Sequence, residues 1–122
     1  MKAMIIILST FLVITFFPIF IFAQPQVTIT PSKGEPATVI TIEGKGFKPD
    51  EEIDIIITLD EGEKIALGTE KVDIIKADAN GTFSVKSGIP VNAKPGKHKI
   101  EIFGNKGTQL QTTIEVTQKE KK

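Results

Sequence analysis

The chain has 122 residues, with 15 acidic and 15 basic side chains and no cysteine. The balanced charge offers no basic patch for nucleic acid, and every basic residue is a lysine, so the bidentate arginine contacts that favour phosphate are absent. The lack of cysteine excludes disulfides, thiolate nucleophiles and cysteine-ligated metals.

The first element is an apolar segment at the N-terminus. Lys2 is followed by an uncharged, almost wholly apolar run over residues 3–22, and the small Ala23 precedes the polar Gln24. This order predicts a signal peptide over residues 1–23 that is cleaved after Ala23. The alternative is an uncleaved membrane anchor, because about 20 apolar residues can span a bilayer. Both interpretations predict a protein that is secreted or held at the cell surface.

Residues 24–117 predict a single domain of β-strands. Short β-branched runs alternate apolar and polar residues, which is typical of strands with one buried face. Gly, Pro, Asn and Asp separate them and favour turns. The predicted strands cover residues 26–30, 38–43, 52–59, 71–77, 82–86, 97–103 and 108–117, with 64–67 as a candidate short edge strand. This spacing predicts an all-β, immunoglobulin-like two-sheet antiparallel sandwich of about seven strands. The charged tail 118–122 is predicted to be disordered.

The polar residues offer few candidates for chemistry. His98 is the only histidine, and it alternates in register with Ile100 and Ile102, so we expect it to pack in the core rather than to bind a metal. The acidic clusters 50–54 and 60–63 are interpreted as solvated charge, with weak calcium binding as the less favoured alternative. No catalytic residue, cofactor site or metal site is predicted.

A turn in the second half of the chain carries a candidate modification site. Asn80, Gly81 and Thr82 form an N-x-T sequence in a predicted exposed turn. In an exported protein this sequence is an acceptor for N-linked glycosylation at Asn80. Asn-Gly is also simply a favourable turn pair, and the two interpretations are compatible.

Three apolar residues are predicted to point outward from their strands. These are Val39, Ile56 and Phe103. Isolated exposed apolar groups are ordinary, but a row of them across one sheet would suit a protein partner. We therefore take Val39, Ile56 and Phe103 as a candidate partner surface.

Several segments resemble the extracellular immunoglobulin-like domains of the IPT/TIG kind found in bacteria and archaea. The resemblance covers about residues 27–116 and rests on VTITP at 27–31, TVITIEGKGFKP at 38–49, ADANGTF at 77–83 and PGKHKI at 95–100. It implies an extracellular sandwich, since such domains usually sit in cell-surface or adhesive proteins. Fold likeness of this kind does not fix a function.

These observations predict a non-enzymatic module, secreted or in the cell envelope, with a structural or protein-binding role. The partner is expected to be another envelope or extracellular protein, with membrane contact only if residues 1–23 stay uncleaved. The alternative is a secreted accessory or inhibitor of an extracellular enzyme that acts through the 60–68 loop. A small enzyme that uses the acidic loops is a more distant alternative.

Overall fold

Nine β-strands form two sheets in the computed structural model, which describes residues 24–67 and 74–119. The strands are β1 (Gln26–Thr30), β2 (Lys33–Gly34), β3 (Val39–Lys45), β4 (Glu52–Thr58), β5 (Lys64–Ala66), β6 (Ile75–Lys76), β7 (Phe83–Gly88), β8 (Gly96–Gly104) and β9 (Gln109–Val116). A one-turn 3-10 segment covers Asp60–Gly62.

The short sheet has the strand order β1-β3-β7, and both of its pairings are antiparallel. The long sheet has the order β2-β9-β8-β4-β5, and β6 also pairs with β4. Its pairings are antiparallel except for the two-residue contact of β2 with β9. Two facing sheets with this crossed-over connectivity are the immunoglobulin-like sandwich that the sequence predicts.

The core lies between the inward faces of the two sheets and consists mainly of isoleucines. Fully buried examples are Ile42 on the short sheet and Ile55, Ile57, Ile100 and Ile102 on the long one. A β-branched side chain suits this position because it packs well on a pleated surface with little loss of rotamer freedom. Since the chain has no disulfide, burial of these rows is the main source of its stability.

The predicted strands agree with the structure except in one region. The 26–30, 38–43, 52–59, 82–86, 97–103 and 108–117 runs all contain strands, with ends shifted by at most two residues. The candidate edge strand at 64–67 is β5, and the structure adds the short β2. The predicted 71–77 strand is reduced to β6 among the described residues, and residues 68–73 lie outside them.

The loops gather at two opposite ends of the sandwich. The connections 46–51, 77–82 and 105–108 meet at one end, where Phe47 covers the core. The segment 31–38, which includes the short strand β2, and the connections 59–63 and 89–95 lie at the other end, together with residues 117–119. We call the first the Glu51 end and the second the proline end, after residues described below.

Candidate functional site

The three predicted partner-surface residues do not share one face. Val39 begins β3 in the short sheet, whereas Ile56 and Phe103 lie on β4 and β8 of the long sheet. Ile56 and Phe103 point outward on the same side, since Phe103 pairs with Asp54, two residues from Ile56. The structure therefore brings together two of the three and places Val39 elsewhere.

The outward face of the long sheet is largely polar around Ile56. Ile56 pairs with Glu101 on one side and with Ala66 on the other. The Glu101 Oε1 atom lies 3.8 Å from Lys64 Nζ and 3.5 Å from Lys99 Nζ. Ile56 is half-buried by these neighbours, so this face presents little apolar area to a partner.

Two strongly exposed apolar side chains, Val91 and Val39, belong to residues at the proline end. Val91 is 79% exposed and Val39 is 65% exposed. Val91 lies in the β7–β8 connection at the proline end, and Val39 begins β3 at the same end, where it pairs with Gly88. The two valines thus expose apolar area at the same end of the sandwich, which makes this end a candidate contact surface.

A groove of about 450 Å³ lies beside Val91. Its walls are formed by Pro36, Ala37, Val91, Pro95 and residues 117–119. We call this depression the proline groove, and we call its lining residues, together with Val39, the proline-end surface. The lining therefore combines four apolar residues with the polar residues Thr117, Gln118 and Lys119, and Lys94 directly precedes Pro95.

The backbone beneath this surface is fixed in an uncommon conformation. Ala37 has a φ of 72°, a left-handed value that disfavours residues with a Cβ. Its N–H donates to the carbonyl of Ile89 over 2.8 Å, and the Ile89 N–H donates to Thr38 over 2.9 Å. These two bonds tie the 31–38 and 89–95 segments together beside the groove.

Sequence reasoning missed the proline groove because its apolar residues lie in turns. Pro36, Val91 and Pro95 show no alternation that could place them on a face, and the turn signals around them predict only loops. The one usable signal is Val91 itself, since a β-branched side chain between Pro90 and Asn92 gains nothing from a solvated turn.

His98 packs in the core, as the alternation in its strand predicts. It is 5% exposed, and both ring nitrogens face backbone carbonyl oxygens. Nε2 lies 2.7 Å from the oxygen of Lys94, and Nδ1 lies 3.2 Å from that of Thr58. We assign an N–H to Nε2, which donates to the Lys94 carbonyl, because that contact is the shorter of the two. His98 thus fastens the β7–β8 connection to its own strand.

The expectation of solvated charge in the 50–54 cluster is wrong for Glu51. This side chain is 0% exposed, and both carboxylate oxygens accept hydrogen bonds. Oε1 accepts from Lys48 N at 3.0 Å and Thr108 Oγ1 at 2.6 Å, and Oε2 accepts from Lys106 N at 3.0 Å and Thr108 N at 3.1 Å. Burial alone raises the pKa of the carboxyl, but the hydrogen bonds from Thr108, Lys48 and Lys106 outweigh burial and lower it.

Asn80 lies in an exposed turn that Asp78 organises. Asp78 Oδ1 accepts from the N–H groups of Asn80 and Thr82, each at 2.9 Å, and Oδ2 accepts from Thr82 Oγ1 at 2.7 Å. These bonds, with those to Thr82 first in effect, lower the pKa of Asp78. Asn80 itself is exposed, and its glycosylation stays a prediction.

No group of three or more potential metal-ligating side chains occurs in residues 24–67 and 74–119. The other large depression, about 460 Å³, lies on the outer face of the short sheet and is lined by polar residues such as Thr28, Glu43 and Ser84. In the same ranges, no helix has the length and apolarity needed to cross a membrane. The predicted signal peptide lies outside the described residues.

Comparison with known proteins gives a family and a fold. A family model described as a macroglobulin-like domain matches residues 23–116. Among curated proteins, none matches this sequence. Macromomycin resembles it in structure with a TM-score of 0.55 and 14% identity, over 76% of this chain and 99% of that one. A superoxide reductase (neelaredoxin) from Ignicoccus hospitalis does so with a TM-score of 0.50 and 12% identity, over 79% and 80%. At these identities the likenesses show the fold alone.

Proposed function

We propose that this chain, which belongs to the macroglobulin-like domain family of immunoglobulin-like domains, is a non-enzymatic module. It binds another protein through its proline-end surface. Membership of that family accounts for the sandwich and leaves the binding role to the surface residues of this chain. The observation that carries the proposal is the 79% exposure of Val91 beside an apolar groove.

The shape and chemistry of the groove favour a protein segment as the ligand. Pro36, Ala37 and Pro95 form fixed walls, so an apolar side chain can enter without reordering the chain, which limits the entropic cost of binding. Lys94 and Lys119 lie beside this apolar region and favour an acidic residue next to that side chain. A sugar is a weaker candidate, because the chain has no tryptophan or tyrosine on which a sugar ring could stack.

The site of action in this proposal is the cell envelope or the extracellular medium. It is supported by the apolar segment 1–23 and by the resemblance of residues 27–116 to extracellular IPT/TIG-type domains. Cleavage after Ala23 would leave the sandwich free, and retention of the segment would tether it to a membrane.

The second candidate function is that of an accessory or inhibitor of an extracellular enzyme that acts through the 60–68 loop, of which the structure describes residues 60–67. Asp60, Glu61 and Glu63 are exposed there, and the 59–63 turn is ordered by a hydrogen bond of 2.6 Å from Leu59 N to the Glu63 carbonyl. Glu61 adopts a φ of 61°. An ordered acidic turn at a loop tip could enter the cleft of an extracellular enzyme, as an accessory or inhibitor would.

Retention of the protein in envelope fractions of its source cells tests the proposal. Val91→Lys and Val39→Lys should each reduce retention, while Ile56→Lys, a matched substitution on the long sheet, should leave it unchanged. A Glu61→Lys variant probes the acidic turn in the same assay. Loss with Ile56→Lys and not with Val91→Lys would assign binding to the long sheet instead, and loss with Glu61→Lys alone would favour the second candidate.

A further inference from the structure

Glu51 is the only fully buried carboxylate among the described residues, and its four hydrogen bonds join two separate loops. Its own loop, 46–51, contributes one donor, the Lys48 N–H. The β8–β9 turn contributes the other three, from Lys106 and Thr108. One carboxylate therefore holds together two segments that are more than 50 residues apart in the sequence.

The loop that Glu51 anchors also carries the residue that closes this end of the core. Phe47 is 5% exposed and packs edge-to-face on Phe83, with ring centroids 5.1 Å apart. Apart from side-chain packing, the Phe47 backbone is held by its N–H bond of 3.1 Å to the Gly81 carbonyl. Movement of the 46–51 loop would uncover Phe47 and the apolar residues beneath it.

We propose that the Glu51 carboxylate is an acid-sensitive latch, whose protonation releases the 46–51 loop and the 104–108 turn and exposes Phe47 while the rest of the sandwich stays folded. The inference is independent of the proline-end surface, which lies at the opposite end of the molecule.

Hydrogen-bond geometry explains why protonation would open the latch. Each Glu51 oxygen already receives two donors, with an N–H group on both sides of the carboxylate. Protonation removes the negative charge that all four donors face, so the carboxyl becomes a weaker acceptor. A proton on Oε1 can be donated to the Thr108 hydroxyl oxygen, whereas a proton on Oε2 stands against the two N–H groups of Lys106 and Thr108. Buried donors whose acceptor is weakened or missing favour the entry of water.

The charged groups around Glu51 act in the same direction. Lys48 Nζ donates to the Lys106 carbonyl, and Lys106 Nζ donates to the Pro49 carbonyl at 2.7 Å, so two cations remain beside the latch. Asp50 and Glu52 flank Glu51 in the chain, and Lys76 on β6 pairs with Glu52. Asp78 lies in the turn that contacts Phe47 through Gly81. Protonation of Glu51 removes the buried negative charge that lies between the loops carrying Lys48 and Lys106.

The direction of the pKa shift of Glu51 determines the pH range in which the latch opens. Its pKa in the folded protein is lower than the ordinary value of 4.5. The stabilisation is therefore complete above that value and is lost as the pH falls through the folded pKa. The latch stays closed near neutrality and opens only in strong acid.

Amide hydrogen exchange followed by NMR tests the latch. As the pH is lowered from about 7 through the titration of the Glu51 carboxyl, we expect the amides of Lys48, Lys106 and Thr108 to lose about tenfold or more of their protection, after correction for intrinsic rates. The amides of Ile100 and Ile114 in the long sheet should keep theirs. Glu51→Gln should show the same local loss already at neutral pH.

Two controls make the result decisive. Asp78→Asn removes another carboxylate with a lowered pKa at the same end, and should leave the three amides protected at neutral pH. If Glu51→Gln does not fold, the carbon-13 shift of the Glu51 carboxyl in the unsubstituted protein must titrate together with the loss of protection. Equal loss at all amides, unchanged protection at the three, or a loss that does not follow the Glu51 titration would overturn the proposal.

Discussion

Thr108 binds Glu51 twice, through its hydroxyl to Oε1 at 2.6 Å and through its backbone N–H to Oε2 at 3.1 Å. This bidentate contact joins the start of β4 to the start of β9. Gly104 lies so close that a Cβ at this position would stand 2.1 Å from Glu51 Oε2. The Glu51 end is therefore organised around one carboxylate and the small residues that make room for it.

The free energy of unfolding should decrease in acid because Glu51 becomes protonated. Because the folded pKa of this group is lowered, its contribution is present above about pH 4.5 and decreases below it. Glu51→Gln should cost about 1–3 kcal/mol at neutral pH, since donors lose a charged acceptor. It should also flatten the pH dependence in the acid range. Urea unfolding at several pH values measures both effects, and a variant with the same acid slope as the unsubstituted protein would show that other carboxyls dominate.

Substitutions of Phe83 and Gly44 should have coupled effects on the free energy of unfolding, because the two residues are in contact. Phe83→Ala should cost about 3–5 kcal/mol because it leaves a cavity at the end of the core. Gly44→Ala should also destabilise, since its Cβ would lie 2.1 Å from Phe83 Cε1. The clash disappears when the ring is absent, so the double variant should be more stable than the sum of the two costs implies. Simple additivity in a double-mutant cycle would contradict this contact.

His98→Phe should be much milder than Phe83→Ala. Phenylalanine keeps the packing but leaves the Lys94 carbonyl without the donor it meets at 2.7 Å, at a cost of about 1–3 kcal/mol. Thermal unfolding compares the two variants directly. A His98→Phe protein that fails to fold while Phe83→Ala folds would mean that the polar contacts, rather than the apolar packing, determine this core.

The inward rows of the strands could be predicted from the sequence, and the buried carboxylate could not. Ile53, Ile55 and Ile57 recur at every second position, and apart from Ile56 the intervening residues are polar, so this local pattern already determines which face is buried. Glu51 stands between two other acids, and three of its four donors come from residues 55–57 positions away in the chain. No local pattern reports such distant partners.

The candidate partner surface could also be predicted only in part from the sequence. The sequence predicts that Val39, Ile56 and Phe103 point outward, but alternation says nothing about which sheet a strand joins. The proline groove depends on how the 31–38 and 89–95 connections meet, and that contact is made by backbone groups of Ala37 and Ile89. Backbone hydrogen bonds between distant turns leave little trace in residue type.

Ala37→Gly should stabilise the protein by up to about 1 kcal/mol, because glycine adopts a φ of 72° without the Cβ penalty. Ala66→Gly, in the strand β5, is the matched control and should destabilise by about 0.5–1 kcal/mol. Chemical denaturation of both variants gives the comparison. Destabilisation by Ala37→Gly would indicate that the alanine methyl group contributes packing to the proline groove that outweighs its backbone strain.

Site-specific photo-cross-linking in intact envelope preparations tests the proposed binding role most directly. A benzophenone amino acid at position 91 should give a discrete adduct with one protein, and Val39→Lys in the same chain should reduce its yield by about tenfold. The same probe at the exposed position 111, on the outer face of the long sheet, should give no such adduct. Absence of an adduct from position 91, or equal yields from positions 91 and 111, would contradict binding through the proline-end surface.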